Sequence, residues 1–303
     1  MKVGVLGFNG FMGKNLCQHL KSTFEVVEVS LRDTDWETQL QQCDVYINLV
    51  GKAHDHKGVA TELDYYYANS DLPKRVFEVF LKSEAKLYIH VSSLAAQQEL
   101  KSDRALLEDD PCQPVTTYGK SKRDFEEWIL KKTPLTDKKV IVLRPPMVHG
   151  PGDKGNLGVL YKLISKGIPY PLNAFKNERS FLSIDNFCYF VKKIIDNQGK
   201  LISGIYNVSD DEPVSTTKII NIIKNEASKK VINVSLPKFF VKAIAKIGDV
   251  LPIPLNSVRL EKMTSNLLVS NQKIKTALEI EKLPLSAEEG LRKTIRSFID
   301  KKI

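Results

Sequence analysis

The chain lacks the features of membrane-spanning and disulfide-rich proteins. In its 303 residues no apolar run approaches the roughly 20 needed to cross a bilayer. Met1–Leu6 lacks the small-residue cleavage site of a signal peptide. The four cysteines lie far apart and form no C-x-x-C pair, which favours reduced thiols. We therefore expect a cytoplasmic protein with no membrane-inserted segment.

Nucleic-acid and metal signatures are lacking as well. The net charge is +9, but the lysines are scattered without aromatic interleaving, so nucleic-acid binding is not supported. Phosphate-bearing ligands and a plainly lysine-rich composition explain the sign equally well. His54-Asp55-His56 has no third ligand at suitable spacing, which favours a solvated loop over a metal site. Phe239–Leu251 predicts an amphipathic helix, with attachment to a membrane surface as the less favoured alternative.

The first half of the chain alternates strand and helix patterns. Predicted strands are 2–6, 25–30, 45–50, 86–91 and 139–143, and predicted helices are 10–21, 36–41, 71–83 and 116–132. This alternation indicates an α/β fold with a doubly wound parallel sheet of the Rossmann type. Only eleven residues separate Arg32 from Asp44. We expect the strand that a full doubly wound half places there to be absent or vestigial.

The pattern changes after Gly150-Pro151-Gly152. Predicted helices are 157–166, 185–197, 216–228, 237–248 and 287–301, with one strand at 202–208. We therefore expect a dinucleotide-binding domain over residues 1–150 and a smaller, mostly helical substrate-binding lobe over 151–303, interleaved with the first. Ser70 or Asp71 is the expected cap of the helix at 71–83.

A glycine-rich loop follows the first predicted strand and opens the first helix. Its spacing is G-x-x-G-x-x-G, and its residues are the candidate phosphate contacts: Gly7, Phe8, Asn9, Gly10, Phe11, Met12 and Gly13. Glycines allow backbone N–H groups to approach a pyrophosphate, and the helix N-terminus favours its negative charge. The less favoured alternative is a purely structural turn.

The end of the second strand indicates which dinucleotide is bound. Ser30 stands where NAD enzymes place an acidic residue, and Arg32 follows it. An arginine at this position favours a 2′-phosphate, so we expect NADP(H), with NAD as the alternative. Arg32 as a solvated loop charge is the other interpretation.

Tyr118 and Lys122 are candidate catalytic residues. At i and i+4 of a helix, the phenol and the ammonium share one face. A cation beside a phenol lowers its pKa, which suits the tyrosine for proton exchange with an alcohol or ketone.

Taken together, these residues resemble the extended short-chain dehydrogenase/reductase family over nearly the whole chain. Gly7, Gly10 and Gly13 match its loop, Ser93 its catalytic hydroxyl, Tyr118 and Lys122 its active-site pair, and Asn69 its structural asparagine. Segments 143–152, 178–185 and 268–294 resemble the nucleotide-sugar epimerase/dehydratase/reductase branch. Within it the chain is most similar to bacterial O-antigen and capsule enzymes that handle UDP-linked N-acetylated sugars.

The resemblance implies further roles. Cofactor contacts are expected from Ser30, Arg32, Val50, Gly51, Asn69, Lys122 and Pro145. Ser93 should orient the substrate oxygen, whereas Ser92 should cap the strand end. Arg179 should bind a substrate phosphate, or else form an ion pair with Glu178 or Asp185. A homodimer is left open.

Three departures from the branch stand out. Met147 replaces a frequent asparagine, and Val50-Gly51 replaces the usual Ala-Ala. The short interval after Arg32 removes part of the usual adenine-binding wall. Asp33, Thr34 and Trp36 are the available replacements.

Three activities fit this resemblance. A 4-ketoreductase consumes NADPH, whereas a 4-epimerase reduces and reoxidises bound NAD. Ser30 and Arg32 favour the reductase, acting for example on a UDP-4-keto-6-deoxy-N-acetylhexosamine. A dehydratase is less favoured, because Leu94 and Ala95 stand where that branch places an acidic pair. A non-catalytic dinucleotide-binding sensor is the remote third alternative, since such relatives usually lose the tyrosine or the lysine.

Overall fold

The structure, a computed structural model, describes residues 1–53, 59–133, 137–153, 155–167, 170, 172, 174–227, 236–251 and 256–300. The strands are β1 Lys2–Leu6, β2 Glu25–Val29, β3 Val45–Asn48, β4 Leu87–Val91, β5 Lys139–Arg144, β6 Met147–His149, β7 Phe181–Ser183 and β8 Gly204–Asn207. The helices are α1 Phe11–Leu20, α2 Trp36–Gln41, α3 Glu62–Tyr66, α4 Leu72–Lys82, α5 Thr117–Lys131, α6 Asn156–Ser165, α7 Ile184–Asp196, α8 Thr216–Glu226, α9 Lys238–Ile247, α10 Ser257–Thr264, α11 Gln272–Ala277 and α12 Ala287–Asp300. Within these ranges no helix combines the length and the apolar character needed to cross a membrane.

Six parallel strands form the main sheet, in the order β2-β1-β3-β4-β5-β8. The chain leaves β1 toward β2 on one side and then returns to β3 on the other side of β1. This reversal opens a crevice at the carboxyl ends of β1 and β3, where doubly wound sheets bind their ligands. The predicted fold class is confirmed.

The short interval after β2 contains one helix, α2, and no strand, as expected from its length. The main sheet therefore ends at β2 on this side. Trp36 and Leu40 of α2 are buried in the core beneath the sheet, together with Phe77 and Phe80 of α4.

Helices cover both faces of the sheet. Leu16 and Leu20 of α1 pack with Phe187 of α7 on one face. On the other face Phe77 of α4 packs with Phe125 of α5. The central strands are buried on both sides, which explains their nearly continuous apolar sequences.

The second half of the chain contributes to both parts of the molecule. Its strand β8 is the last strand of the main sheet, whereas α6, α8, α9 and α12 share a separate core. The division at residue 150 stays a prediction. The two-stranded sheet of β6 and β7, together with α10 and α11, was not predicted. These elements have only three to eight residues, too few to show a periodic pattern.

The expected cap at Ser70 or Asp71 is wrong. The helix begins earlier, at Thr61, whose side chain forms a capping box with Asp64. It then runs through a π-helical turn, Tyr67–Asp71, directly into α4. The wider turn shifts the side-chain faces and so interrupts the regular helical period that sequence patterns detect. Ser70 is buried and donates a hydrogen bond to Asp124 of α5.

Candidate active site

The glycine loop is shaped so that side chains at two positions cannot be accommodated. Gly7 has φ of +80°, and a Cβ there would lie 3.0 Å from the backbone of Leu49. At Gly13 a Cβ would lie 2.2 Å from the Gly7 carbonyl oxygen. Gly10 is the N-cap of α1 and has no side chain to occupy that helix end. The backbone thus forms a close cradle at an open, partially positive helix terminus.

Three predicted residues meet beyond the end of β3. A Cβ on Gly51 would lie 2.8 Å from Lys122 Nζ and 2.9 Å from Asn69 Oδ1. The buried Asn69 amide accepts from the Lys52 N–H at 2.8 Å and donates to Ser121 Oγ at 2.9 Å. Asn69 thereby joins the β3 loop to α5. The π-helical turn provides its position, as π-turns often do at functional sites.

Tyr118 and Ser93 are brought together as predicted. Thr116 caps α5, and the partly buried Tyr118 in its first turn lies close enough to Ser93 for the Ser93 hydroxyl to influence its pKa. The pKa of Tyr118 is raised above its usual value, chiefly because burial disfavours the phenolate. The interaction with the Ser93 hydroxyl lowers this pKa, whereas the charge of Glu99 raises it further.

Lys122 does not lower the pKa of Tyr118 as expected. Its ammonium donates to the Val91 carbonyl at 3.0 Å, beneath Gly51. Burial lowers the pKa of Lys122 itself to about 8, although the charge of Glu126 opposes this shift. The lysine therefore remains mostly protonated at neutral pH, and both active-site groups respond mainly to desolvation.

The sequence did not predict the buried ion pair that Glu126 forms one helical turn after Lys122. Arg144 at the end of β5 binds Glu126 of α5, with Nη2 to Oε2 at 2.7 Å and Nε to Oε1 at 3.0 Å. Both side chains are fully buried. Ser92 donates to Glu126 Oε1 at 2.6 Å, so the expectation that it caps the strand end is wrong. Glu126 lies one helical turn after Lys122, a spacing that could have revealed it.

A second carboxylate fixes the start of α5. The buried Glu99 accepts from the Thr116 N–H at 2.9 Å and from the Thr116 hydroxyl. Glu99 also lies near the backbone of Gly119. Its charge therefore contributes to the electrostatics of Tyr118, and sequence reasoning did not single it out.

The remaining predicted cofactor residues follow the carboxyl ends of β1, β3 and β5 or open α1. Phe8 and Asn9 line a cavity of about 280 Å³ beside α1 and β2. Phe11 and Met12 open α1, and Val50 donates to Asn48 Oδ1 at 3.0 Å. The Pro145 carbonyl accepts from the N–H of Leu94, next to Ser93, at 2.8 Å.

Arg32 is exposed at the end of β2. Its N–H donates to Ser30 Oγ at 3.3 Å. Within the described part of the chain its guanidinium has no hydrogen-bond or ion-pair partner.

Three backbone carbonyls hold the side chain of Arg179. Its Nη1 donates to the carbonyls of Lys262 at 2.8 Å, Ser265 at 3.2 Å and Leu100 at 3.5 Å. Burial lowers its pKa to about 10, so it is charged at neutral pH. The alternative pairing with Asp185 is wrong, because that carboxylate binds Lys293.

His54-Asp55-His56 falls outside the described residues. Among the residues that are described, no group of three or more His, Cys, Asp or Glu side chains could hold a metal ion.

Comparisons with known proteins relate this chain to one family. The model of the NAD dependent epimerase/dehydratase family matches residues 3–209. UDP-glucose 4-epimerase of Vibrio cholerae is 27% identical, over 97% of this chain and 94% of its own length. N-acetyl-alpha-D-glucosaminyl-diphospho-ditrans,octacis-undecaprenol 4-epimerase of Escherichia coli O157:H7 is 24% identical over 77% of this chain and 74% of its own length. A Pseudomonas aeruginosa UDP-2-acetamido-2,6-beta-L-arabino-hexul-4-ose reductase is 26% identical over 68% of this chain and 52% of its own length.

Solved structures agree on the fold. UDP-glucuronic acid 4-epimerase from Bacillus cereus in complex with NAD has a TM-score of 0.79 at 19% identity, covering 100% of both chains. RMD from Pseudomonas aeruginosa complexed with NADPH has a TM-score of 0.73 at 16% identity, covering 99% of both chains.

The Arg144→Met variant tests the buried ion pair. We expect a loss of about 3–5 kcal/mol in unfolding free energy, because the Glu126 carboxylate would remain buried without its partner. The double variant Arg144→Met/Glu126→Leu should recover most of this loss. Chemical denaturation of both variants measures it, and a double variant as unstable as the single one would contradict the interpretation.

The Lys122→Met variant tests the lowered pKa. Lys122 has a pKa of about 8 in the folded chain, against an ordinary value of 10.5. The cost of the buried charge is therefore complete below about pH 8 and vanishes as the pH rises toward the unfolded pKa. The unfolding free energy of the variant minus that of the wild type should therefore decrease as the pH rises from neutral to the unfolded pKa. The total decrease should be at most roughly 3 kcal/mol. Denaturant titrations of both chains measure it; a pH-independent difference would refute the shift.

Proposed function

The chain belongs to the NAD dependent epimerase/dehydratase family, and from this premise we propose that it is a UDP-sugar 4-epimerase. One observation supports the proposal above all: the Tyr118 phenol and the Ser93 hydroxyl lie within interaction range of each other, with Lys122 one helical turn further on. A phenol and a hydroxyl positioned together suit proton exchange with one sugar oxygen.

The residues at the crevice fit a nicotinamide dinucleotide. Side chains at Gly7 or Gly13 would fill the cradle with atoms, and the helix end at Gly10 is open to a pyrophosphate. Gly51 lets the β3 loop approach Lys122 Nζ, whose charge suits a ribose hydroxyl. A bound dinucleotide would supply hydride transfer to and from the sugar carbon.

The chain's own residues manage the proton. Tyr118 is proposed to accept the proton of the C4 hydroxyl. It would return the proton after the sugar has turned over and presents the opposite face of C4. Ser93 donates to the same sugar oxygen and holds it beside the phenol.

Epimerisation is preferred over the reductase that Ser30 and Arg32 favoured. The Vibrio cholerae 4-epimerase aligns with almost the full length of this chain, whereas the Pseudomonas aeruginosa reductase aligns with only half of its own length. We accordingly propose NAD as the resident cofactor. NADPH-dependent 4-ketoreduction remains the second candidate, since the unpartnered guanidinium of Arg32 suits a 2′-phosphate.

Arg179 is proposed to bind the substrate diphosphate. The three carbonyls engage Nη1, so that Nε and Nη2 have no partner among the described residues. A guanidinium anchored in this way can offer a planar pair of donors to a phosphate.

Denaturing the purified protein and identifying the released dinucleotide distinguishes the two candidates. An epimerase should release stoichiometric NAD, because its cofactor is regenerated in place. A protein that is isolated empty and then binds NADPH would contradict epimerisation and support the reductase.

The Tyr118→Phe variant tests catalysis separately from binding. Turnover of a UDP-sugar should fall about 10²- to 10⁴-fold, because the proton acceptor is lost. The bound dinucleotide should be retained. Tyr189→Phe on α7 is the matched control and should keep full activity. Equal turnover in the Tyr118→Phe variant would refute the assigned role.

A further inference from the structure

Helix α9 has a second apolar face that points away from the protein. Val241 and Ala245 are buried in the core shared with α6, α8 and α12. The opposite side is exposed, with Phe239 at 73%, Phe240 at 51% and Ile247 at 52% of full exposure.

This exposed stripe continues beyond the helix. The following turn keeps helical hydrogen bonds, with the Leu251 N–H donating to the Ile247 carbonyl at 2.9 Å. Val250 and Leu251 are 85% and 53% exposed. We call the resulting surface the α9 outer face; it comprises Phe239, Phe240, Ala243, Ile247, Val250 and Leu251.

A surface helix normally turns polar residues toward water. Single exposed apolar residues are common, but two adjacent phenylalanines aligned with three aliphatic side chains form a contiguous patch. Such a patch is typical of a surface that contacts a protein partner, a ligand or a membrane.

Cations border the α9 outer face. Lys242 and Lys246 lie one turn apart along its edge, three residues after Phe239 and Ala243 respectively. Within the described ranges neither lysine is ion-paired. The neighbouring acid, Asp249, is engaged by the Ser257 N–H at 2.8 Å and the Ser257 hydroxyl at 2.6 Å.

We propose that the α9 outer face docks on a membrane surface that contains anionic lipids. An apolar stripe bordered by lysines matches a helix lying in the headgroup region, where aromatic and aliphatic groups enter the acyl boundary and cations meet phosphates. A second copy of this chain fits less well. In a twofold contact the face would meet itself and place the lysines of both copies near one another.

Docking would hold the substrate side of the molecule close to the bilayer. Helix α10 packs against α9, and the carbonyls of Lys262 and Ser265 at its end accept from Arg179. The α9 outer face and the proposed phosphate contact thus belong to one packed unit. The docking proposal itself does not depend on the proposed reaction.

Vesicle flotation with the full chain tests the proposal. Vesicles of phosphatidylcholine alone are compared with vesicles that also contain phosphatidylglycerol. The wild type should bind the anionic vesicles, and binding should weaken as salt is added. Phe239→Ser/Phe240→Ser should lower partitioning at least ~10-fold, and Lys242→Gln/Lys246→Gln should lower it roughly 30-fold on anionic vesicles only.

Controls separate docking from folding and from catalysis. Ile202 is about as exposed as Phe239 (77% against 73%) but lies outside the α9 outer face. Ile202→Ser should therefore leave binding unchanged. Both double variants should keep the wild-type turnover of a water-soluble UDP-sugar. If the wild type does not bind, or binds both vesicles equally, the proposal is overturned. It is also overturned if the phenylalanine variant only converts a dimer into a monomer, since the face then binds a second copy.

Discussion

The buried ion pair between Arg144 and Glu126 is the interaction on which the site depends. It joins the end of β5 to the middle of α5, and Ser92 at the end of β4 binds the same carboxylate. Because Lys122 lies one turn before Glu126 on α5, fixing Glu126 fixes the rotation of that helix. Ser92 is followed directly by Ser93, so its bond to Glu126 also positions the loop that carries the candidate catalytic hydroxyl. One buried carboxylate therefore sets the relative positions of the helix and of the catalytic loop.

Burial imposes a cost that this arrangement offsets through hydrogen bonds. Arg144 donates to Glu126 twice and to the Glu108 carbonyl at 3.2 Å. A buried ion pair adds little net stability compared with apolar residues of similar volume, although the loss of one partner is costly. The same desolvated surroundings lower the pKa of Lys122 and raise that of Tyr118. The site thus holds two groups whose charged forms are both disfavoured until a ligand or a transferred proton compensates them.

Local spacing predicted much of the fold and the centre of the site. Gly7 and Gly13, and the pair Tyr118 and Lys122, are each close in sequence, so their geometry follows from one turn or one helix. The partners Glu126 and Arg144 are 18 residues apart and on different elements, so their contact depends on tertiary packing. Similarly, the π-helical turn hid the true helix start at Thr61, because it breaks the period on which the prediction relied.

The choice of cofactor turns on the strength of one exposed charge. Since β2 ends the main sheet on its side and α2 follows closely, little structure surrounds Arg32. A solvent-exposed ion pair contributes roughly 0–1 kcal/mol, which is at most a factor of about five in affinity. Dedicated recognition of a 2′-phosphate would require a more enclosed site or further cations. Arg32 alone is therefore a weak argument for NADP, and its guanidinium is compatible with either dinucleotide.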